Sequence, residues 1–226
     1  MTEMFKDRRE AGRRLAAALS PFAAAPDLLV LGLPRGGIPV AYEVARALHA
    51  PLDVFVVRKL GVPGQEEVAM GAIASGGIRV LNGTMIRQLH IPPATVERVV
   101  QKEQRELERR ERAYRGVRAA PDVRGRTVIL VDDGLATGAS MAAAIAALRR
   151  QSPASIVVAV PVAAAETCDA LREMADICTC VETPRPFHGV GQWYVDFEQT
   201  TDAEVRALLD AASHGSVAAT ASDQRA

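Results

Sequence analysis

Apolar positions along the chain fall into two patterns. Short uninterrupted runs at 27–33, 52–57, 128–131, 155–160 and 176–181 predict strands buried on both faces, the kind found in parallel sheets. Between most of them lie segments whose apolar residues recur every three or four positions, at 38–49, 141–150 and 164–174, and these predict helices. Two more helices are predicted at the ends. One covers 5–19, where Ala11, Leu15 and Leu19 stand among basic residues before Ser20-Pro21, and the other covers 202–212. Strand and helix in alternation predict an α/β fold: a doubly wound, mostly parallel sheet with helices on both faces.

Three stretches depart from this alternation. Residues 70–73 and 78–81 flank Ser75-Gly76-Gly77 and predict a hairpin, preceded by a loop at 61–67. Residues 92–117 are charge-dense and helical in pattern. Glu106/Arg110, Glu108/Arg112 and Glu111/Arg115 stand at i,i+4 spacing, and Val96, Val99, Val100 and Leu107 form a narrow stripe suited to docking on the domain or on a second subunit. Residues 184–197 gather Phe187, Trp193, Tyr194 and Phe197 into a region rich in Pro and Gly. The expected organisation is one domain over 1–212, with a helical insertion at about 92–118 and an aromatic hood segment at about 184–198, followed by a small, polar, disordered tail at 213–226.

Composition narrows the partners. A chain of 226 residues, 49% hydrophobic, buries a full core, and 27 basic against 27 acidic residues offer no global attraction to nucleic acid or to a membrane surface. Alternating charge signs in 92–117 argue against a nucleic-acid role there as well. No apolar run of membrane-spanning length and no signal-peptide pattern occurs, so the expected location is cytoplasmic. Three cysteines, an odd number with no CxxC spacing, speak against a disulfide framework and for a reducing compartment. Cys178 and Cys180, two apart in a predicted strand, face one side and are expected to pack rather than bind metal.

The chemistry concentrates after the strand 128–131. Asp132 and Asp133 follow it directly, at the carboxyl end where ligands of open α/β sheets bind. Gly134, Leu135, Ala136, Thr137, Gly138, Ala139 and Ser140 then form a small-residue loop running into a helix, whose first amides attract phosphate. Two carboxylates beside such a nest repel a bare polyphosphate, so they need hydroxyl groups or a divalent cation, and a ribose 5-phosphate suits both features. A nucleotide-binding loop of the Walker type needs Lys and then Ser or Thr after its last Gly, whereas Gly138 is followed by Ala139 and Ser140. The plainer alternative is that the acids only cap the helix. A second phosphate-shaped turn, Pro34-Arg35-Gly36-Gly37, follows the first strand, and Arg58-Lys59 end the next one with two cations. The aromatics at 184–197 cover either the edge of the fold or a planar base.

The thirteen residues 128–140, with two acids and a loop ending Ala-Thr-Gly-Ala-Ser, resemble the phosphoribosyl-pyrophosphate signature of the type I phosphoribosyltransferases. The resemblance implies transfer of ribose 5-phosphate from phosphoribosyl pyrophosphate to a nucleobase-like nitrogenous acceptor, with release of pyrophosphate. It places the 5-phosphate on Gly134 through Ser140 and the ribose hydroxyls on Asp132 and Asp133. Mg²⁺ would be held by those acids directly or through hydroxyls and water. Pyrophosphate falls to Pro34, Arg35, Gly36 and Gly37, with a non-proline cis peptide at Pro34–Arg35 or Arg35–Gly36. Arg58 and Lys59 join the acids as catalytic residues, a flexible hood arises near 61–81, and Phe187, Trp193, Tyr194 and Asp196 are the acceptor candidates. Where the hypoxanthine-guanine branch has a third acid this sequence has Ala136, closer to the adenine branch. The expected partners are the donor, a small-molecule acceptor and a second copy in a homodimer. The competing function is a non-catalytic sensor of phosphoribosyl pyrophosphate or nucleotide, although no helix-turn-helix is recognisable. A phosphatase reading lacks an aspartyl-nucleophile motif.

Overall fold

The structure, a computed structural model, describes residues 3–223, with side chains up to residue 214. In chain order the elements are α1 (Arg8–Ala18), β1 (Leu28–Gly32), α2 (Gly37–Ala47), β2 (Leu52–Val54), β3 (Val57–Val62), β4 (Gln65–Ala74), β5 (Ile78–Leu81), α3 (Gly83–Gln88) and α4 (Pro93–Arg115). They continue with β6 (Thr127–Val131), α5 (Ala139–Arg149), β7 (Ser155–Val162), α6 (Ala165–Arg172), β8 (Ile177–Glu182) and α7 (Asp202–Asp223).

Five strands form one sheet in the order β2-β1-β6-β7-β8, parallel at every pairing. Why its strands read as continuous apolar runs follows from what covers them. Alternate side chains of one strand enter opposite cores: Val30, Ile129, Val131 and Val157 meet Leu15 and Leu19 of the α1 segment and Val40 and Val44 of α2. Leu29, Leu31, Leu130 and Val158 meet Met141, Ile145 and Leu148 of α5 and Leu171 of α6. Each such side chain contributes about 1.5–3 kcal/mol by leaving water, and a register slip would exchange the two sets without exposing either.

A second sheet, β3-β4-β5, is antiparallel throughout. The apolar stripe of α4 lies on it: Val96, Val100 and Leu107 pack with Leu60, Met70 and Ile73, with Val99 at the margin and Val205 and Leu209 of α7 closing the cluster. The charged insertion therefore docks on its own domain. The hairpin predicted around Ser75-Gly76-Gly77 is present, with Ala74 opposite Ile78.

Four expectations change. Residues 52–57 are not one strand, because pairing with β1 stops at Val54. Phe55 still donates to the Gly32 carbonyl, but Val56 donates to Ser75 Oγ in the ribbon and the chain changes sheet there. Residues 61–67 are not an open loop; two strands meet across a short turn at Pro63-Gly64, where Gly64 has φ +79°. The cysteines do form a disulfide, between Cys168 and Cys180, leaving Cys178 free. Cys178 and Cys180 share one side of β8 as expected, and α6 brings Cys168 onto that side, a convergence invisible in the spacing. Last, α7 continues through Asp223, so the segment from Ser213 is helical rather than a disordered tail, and 224–226 lie outside the described residues. No described helix is long and apolar enough to cross a membrane.

Candidate functional site

β6 ends at Val131, whose carbonyl accepts from Leu33 N at 2.8 Å, so β6 and the neighbouring β1 are locked in register where the chain leaves the sheet. Asp132 and Asp133 follow at once. Asp132 Oδ1 accepts from the Asp133 amide at 2.9 Å, and Asp133 Oδ2 accepts from Arg8 Nε at 2.8 Å. The Asp133 carbonyl accepts from the Tyr194 hydroxyl at 2.5 Å. Burial pushes the Asp132 carboxyl well above the usual carboxylate range, and the neighbouring Asp133 charge adds to the rise. Burial also raises Asp133, against the opposing pull of Arg8. These acids are poorly solvated, unlike the water-facing pair that a simple helix cap would be.

The Pro34–Gly37 turn packs against them. Pro34–Arg35 is a cis peptide, the first of the two bonds considered for it, and Gly36 follows as the N-cap of α2. A Cβ at Gly36 would overlap Asp133 Oδ2 and come 3.2 Å from Arg8 Nε, so only glycine lets the turn and the acid pair approach this closely. Arg35 is about one-third exposed, 3.7 Å from Asp202.

The loop after the acids is anchored at its base and open at its crest. Leu135 N donates to Val162 O at 2.9 Å, Ala164 N to Leu135 O at 3.1 Å, and Thr167 Oγ1 to Ala136 O at 2.6 Å. Ala136, Thr137, Ala139 and Ser140 are exposed. Gly138 adopts φ +68°, the left-handed conformation that turns the loop into α5 and leaves the first amides of that helix free of intrahelical partners.

Arg58 and Lys59 do not act as a pair. They lie within β3, where successive side chains face opposite ways. Arg58 faces α4 and ion-pairs with Glu103 at 2.6 Å. Lys59 is exposed and lines a cleft of about 410 Å³ with Asn82, Glu67 and Ala139, the first residue of α5. Strand alternation therefore leaves Lys59 beside the phosphate loop and Arg58 as an anchor for the helical insertion.

The aromatic segment is packed, not splayed. Tyr194 is 4% exposed and clusters with Phe5, Ala11 and Val162, while Phe187, Trp193 and Phe197 rest partly buried against them. Phe5 forms a parallel bridge with Tyr194, and the Phe197 ring lies 4.0 Å beneath the Arg8 guanidinium. Asp196 is exposed and lines an open cavity of about 590 Å³ with Arg8, Arg9, Tyr42, Thr200 and Glu204. The residue that sequence reasoning missed is Arg8. It touches Asp133, Phe197 and the Glu198 carbonyl, contacts 125 to 190 residues away that no local pattern reports.

The donor atoms suit a hard cation. Asp132 and Asp133 offer oxygens only, the ligand type that Mg²⁺ takes. Arg8 ion-pairs directly with Asp133 at 2.8 Å, and its charge also acts on Asp132.

The comparisons with known proteins agree with one another. The family profile described as phosphoribosyl transferase domain matches residues 2–198. Two Mycobacterium tuberculosis proteins, from strains CDC 1551 and H37Rv and provisionally named phosphoribosyl transferases, are each 46% identical over 210 residues, covering 93% of this chain and 47% of their own length. The chain thus spans about half the length of the curated relatives it matches. The crystal structure of TT1426 from Thermus thermophilus is 44% identical with a TM-score of 0.83, covering 91% of this chain and 97% of that one. With the parallel sheet, the acid pair and its two glycine turns in place, the chain belongs to the phosphoribosyl transferase domain family.

Proposed function

We propose that the protein transfers ribose 5-phosphate from phosphoribosyl pyrophosphate to a nucleobase-like nitrogen, releasing pyrophosphate. The observation that carries this reading is the poorly solvated pair Asp132–Asp133 between two phosphate-shaped turns. The acids accept hydrogen bonds from the ribose hydroxyls. Amides at the start of α5, with Thr137 and Ser140, take the 5-phosphate. The Pro34–Gly37 turn takes the pyrophosphate, with Arg35 in the turn and Arg8 beside it, while Lys59 stands in the cleft next to the 5-phosphate loop. Mg²⁺, held by Asp132 and Asp133 or by the hydroxyls they bind, would offset the charge gathering on the leaving pyrophosphate. Arg8 must share Asp133 with the ribose, so donor binding and the Arg8 contact are linked.

The centre needs orientation and charge placement rather than a nucleophile. Ala136 offers no carboxylate, so a 6-oxopurine that must shed a ring proton finds no base at that position; Glu66, Glu67 and Asp196 are the acids that could substitute from the ribbon turn or the hood. Calorimetry with phosphoribosyl pyrophosphate, with Mg²⁺ and then with EDTA, tests the donor site. Equal affinity in both, or no binding at millimolar donor, removes it. Turnover against adenine, hypoxanthine, guanine, xanthine, orotate and uracil tests the rest. Binding without turnover across that panel favours the sensor reading, and efficient use of guanine would show that another residue takes the proton.

A further inference from the structure

All three cysteines of the chain meet at one place, between α6 and the edge strand β8. Cys168 comes from α6, and Cys178 and Cys180 from the edge strand β8. Their sulfurs lie within 4.8 Å of one another, and Cys178 Sγ is 3.8 Å from each of the other two. A disulfide joins Cys168 to Cys180 and uses two sulfurs. Cys178 has no share in that bond, yet it sits equidistant from both partners.

We propose that, with the disulfide reduced, these three sulfurs bind one soft divalent cation of the zinc–cadmium kind. Three points carry this. Thiolates around a tetrahedral zinc, with bonds of about 2.3 Å, stand about 3.8 Å apart, which is the separation Cys178 already keeps from both neighbours. The Cα atoms of Cys168 and Cys180 are 6.8 Å apart, room for their sulfurs to separate to that spacing by side-chain rotation. Cys168 is buried while Cys178 and Cys180 are half-buried on the edge strand, so the three sulfurs converge at the margin of the fold, within reach of solvent ligands. The reduction balances with a dithiol donor: two electrons and two protons pass to the Cys168–Cys180 bond, and the dithiol becomes a disulfide. Binding then forms three metal–sulfur bonds and releases the three thiol protons to solvent.

The site adjoins the loop after the acid pair through the start of α6. Thr167, next to Cys168 in α6, donates to the Ala136 carbonyl, so the sulfur centre and the 5-phosphate loop share a helix end.

The test uses the full chain, reduced with a non-chelating phosphine and titrated with Cd²⁺ and then Zn²⁺. The expected result is one equivalent bound, a sulfur-to-cadmium charge-transfer band, proton release, and protection of the thiols from alkylation. Oxidised wild type, with a single thiol left, should bind at least about 100-fold more weakly. So should reduced Cys178→Ser, whose fold is checked by circular dichroism. If reduced wild type shows no saturable binding, or binds no better than either control, the trio is only a disulfide with a neighbouring thiol. None of these readouts depends on phosphoribosyl transfer.

Discussion

The parallel sheet and the antiparallel ribbon with its neighbouring hood are built on opposite principles. In the parallel sheet a site residue stands where it does because of the strand it follows: β6 runs out, and Asp132 and Asp133 emerge at the ligand edge. In the ribbon and hood, position is set by distant partners. Arg58 is held by Glu103, and Tyr194 by Phe5 and the Asp133 carbonyl. Replacing the acids that follow β6 should alter chemistry and leave the frame intact, whereas replacing a residue of the ribbon or hood should alter the frame and reach the chemistry only through Asp133.

The strongest test of this contrast is Asp132→Asn combined with Asp133→Asn. Losing two charge-assisted contacts of about 1.5–3 kcal/mol each should weaken donor binding at least 100-fold by calorimetry. Stability should move the other way. Both carboxyls sit above their unfolded values, so the folded state holds protons more tightly, and wild-type stability falls as pH rises from near 4 through the raised values. Urea denaturation between pH 4 and pH 8 should show that fall in wild type and a flatter profile, with higher stability at neutral pH, in the double variant. A variant destabilised at neutral pH would mean that the acids hold the frame together, and the contrast would fail.

Next in size is Gly36→Ala, whose methyl would overlap the Asp133 carboxylate. Overpacking of this kind costs about 1–3 kcal/mol, and here donor affinity should fall together with melting temperature, since turn and acid share one space. Tyr194→Phe removes one hydrogen bond, a loss of about 1 kcal/mol, and should lower thermal stability while leaving Mg²⁺-dependent donor binding within a few fold. The smallest effect is expected at the ribbon turn. Gly64→Ala places a side chain at φ +79° with open space around it, costing about 1 kcal/mol from backbone conformation alone, and donor affinity should not change.

What was legible in the sequence divides along the same line. The core strands, the flanking helices, the α4 stripe and the hairpin at Ser75-Gly76-Gly77 could be read because each is encoded within a dozen residues, by periodicity or by turn chemistry. The acid pair and both glycine turns could be placed because strand ends fix them. The break after Val54 was not legible, since six residues of strand-like character do not say where pairing partners run out. Arg8 was read only as one of several basic residues on an amphipathic helix, and its pairing with Asp133 depends on how α1 lies across the sheet. Likewise, the odd number of cysteines pointed away from the disulfide that the approach of α6 to β8 creates.

One feature orders the assembly in time. Arg8 is synthesised more than a hundred residues before Asp133, and Tyr194, Phe197 and the Glu198 carbonyl well after both. During N-to-C synthesis the parallel sheet can begin to consolidate while its acid pair still lacks the cap that the hood supplies, because closing a contact across 190 residues waits for both ends. Closure of the Arg8 contacts is then an event separate from the gain of secondary structure, and it follows that gain rather than accompanying it.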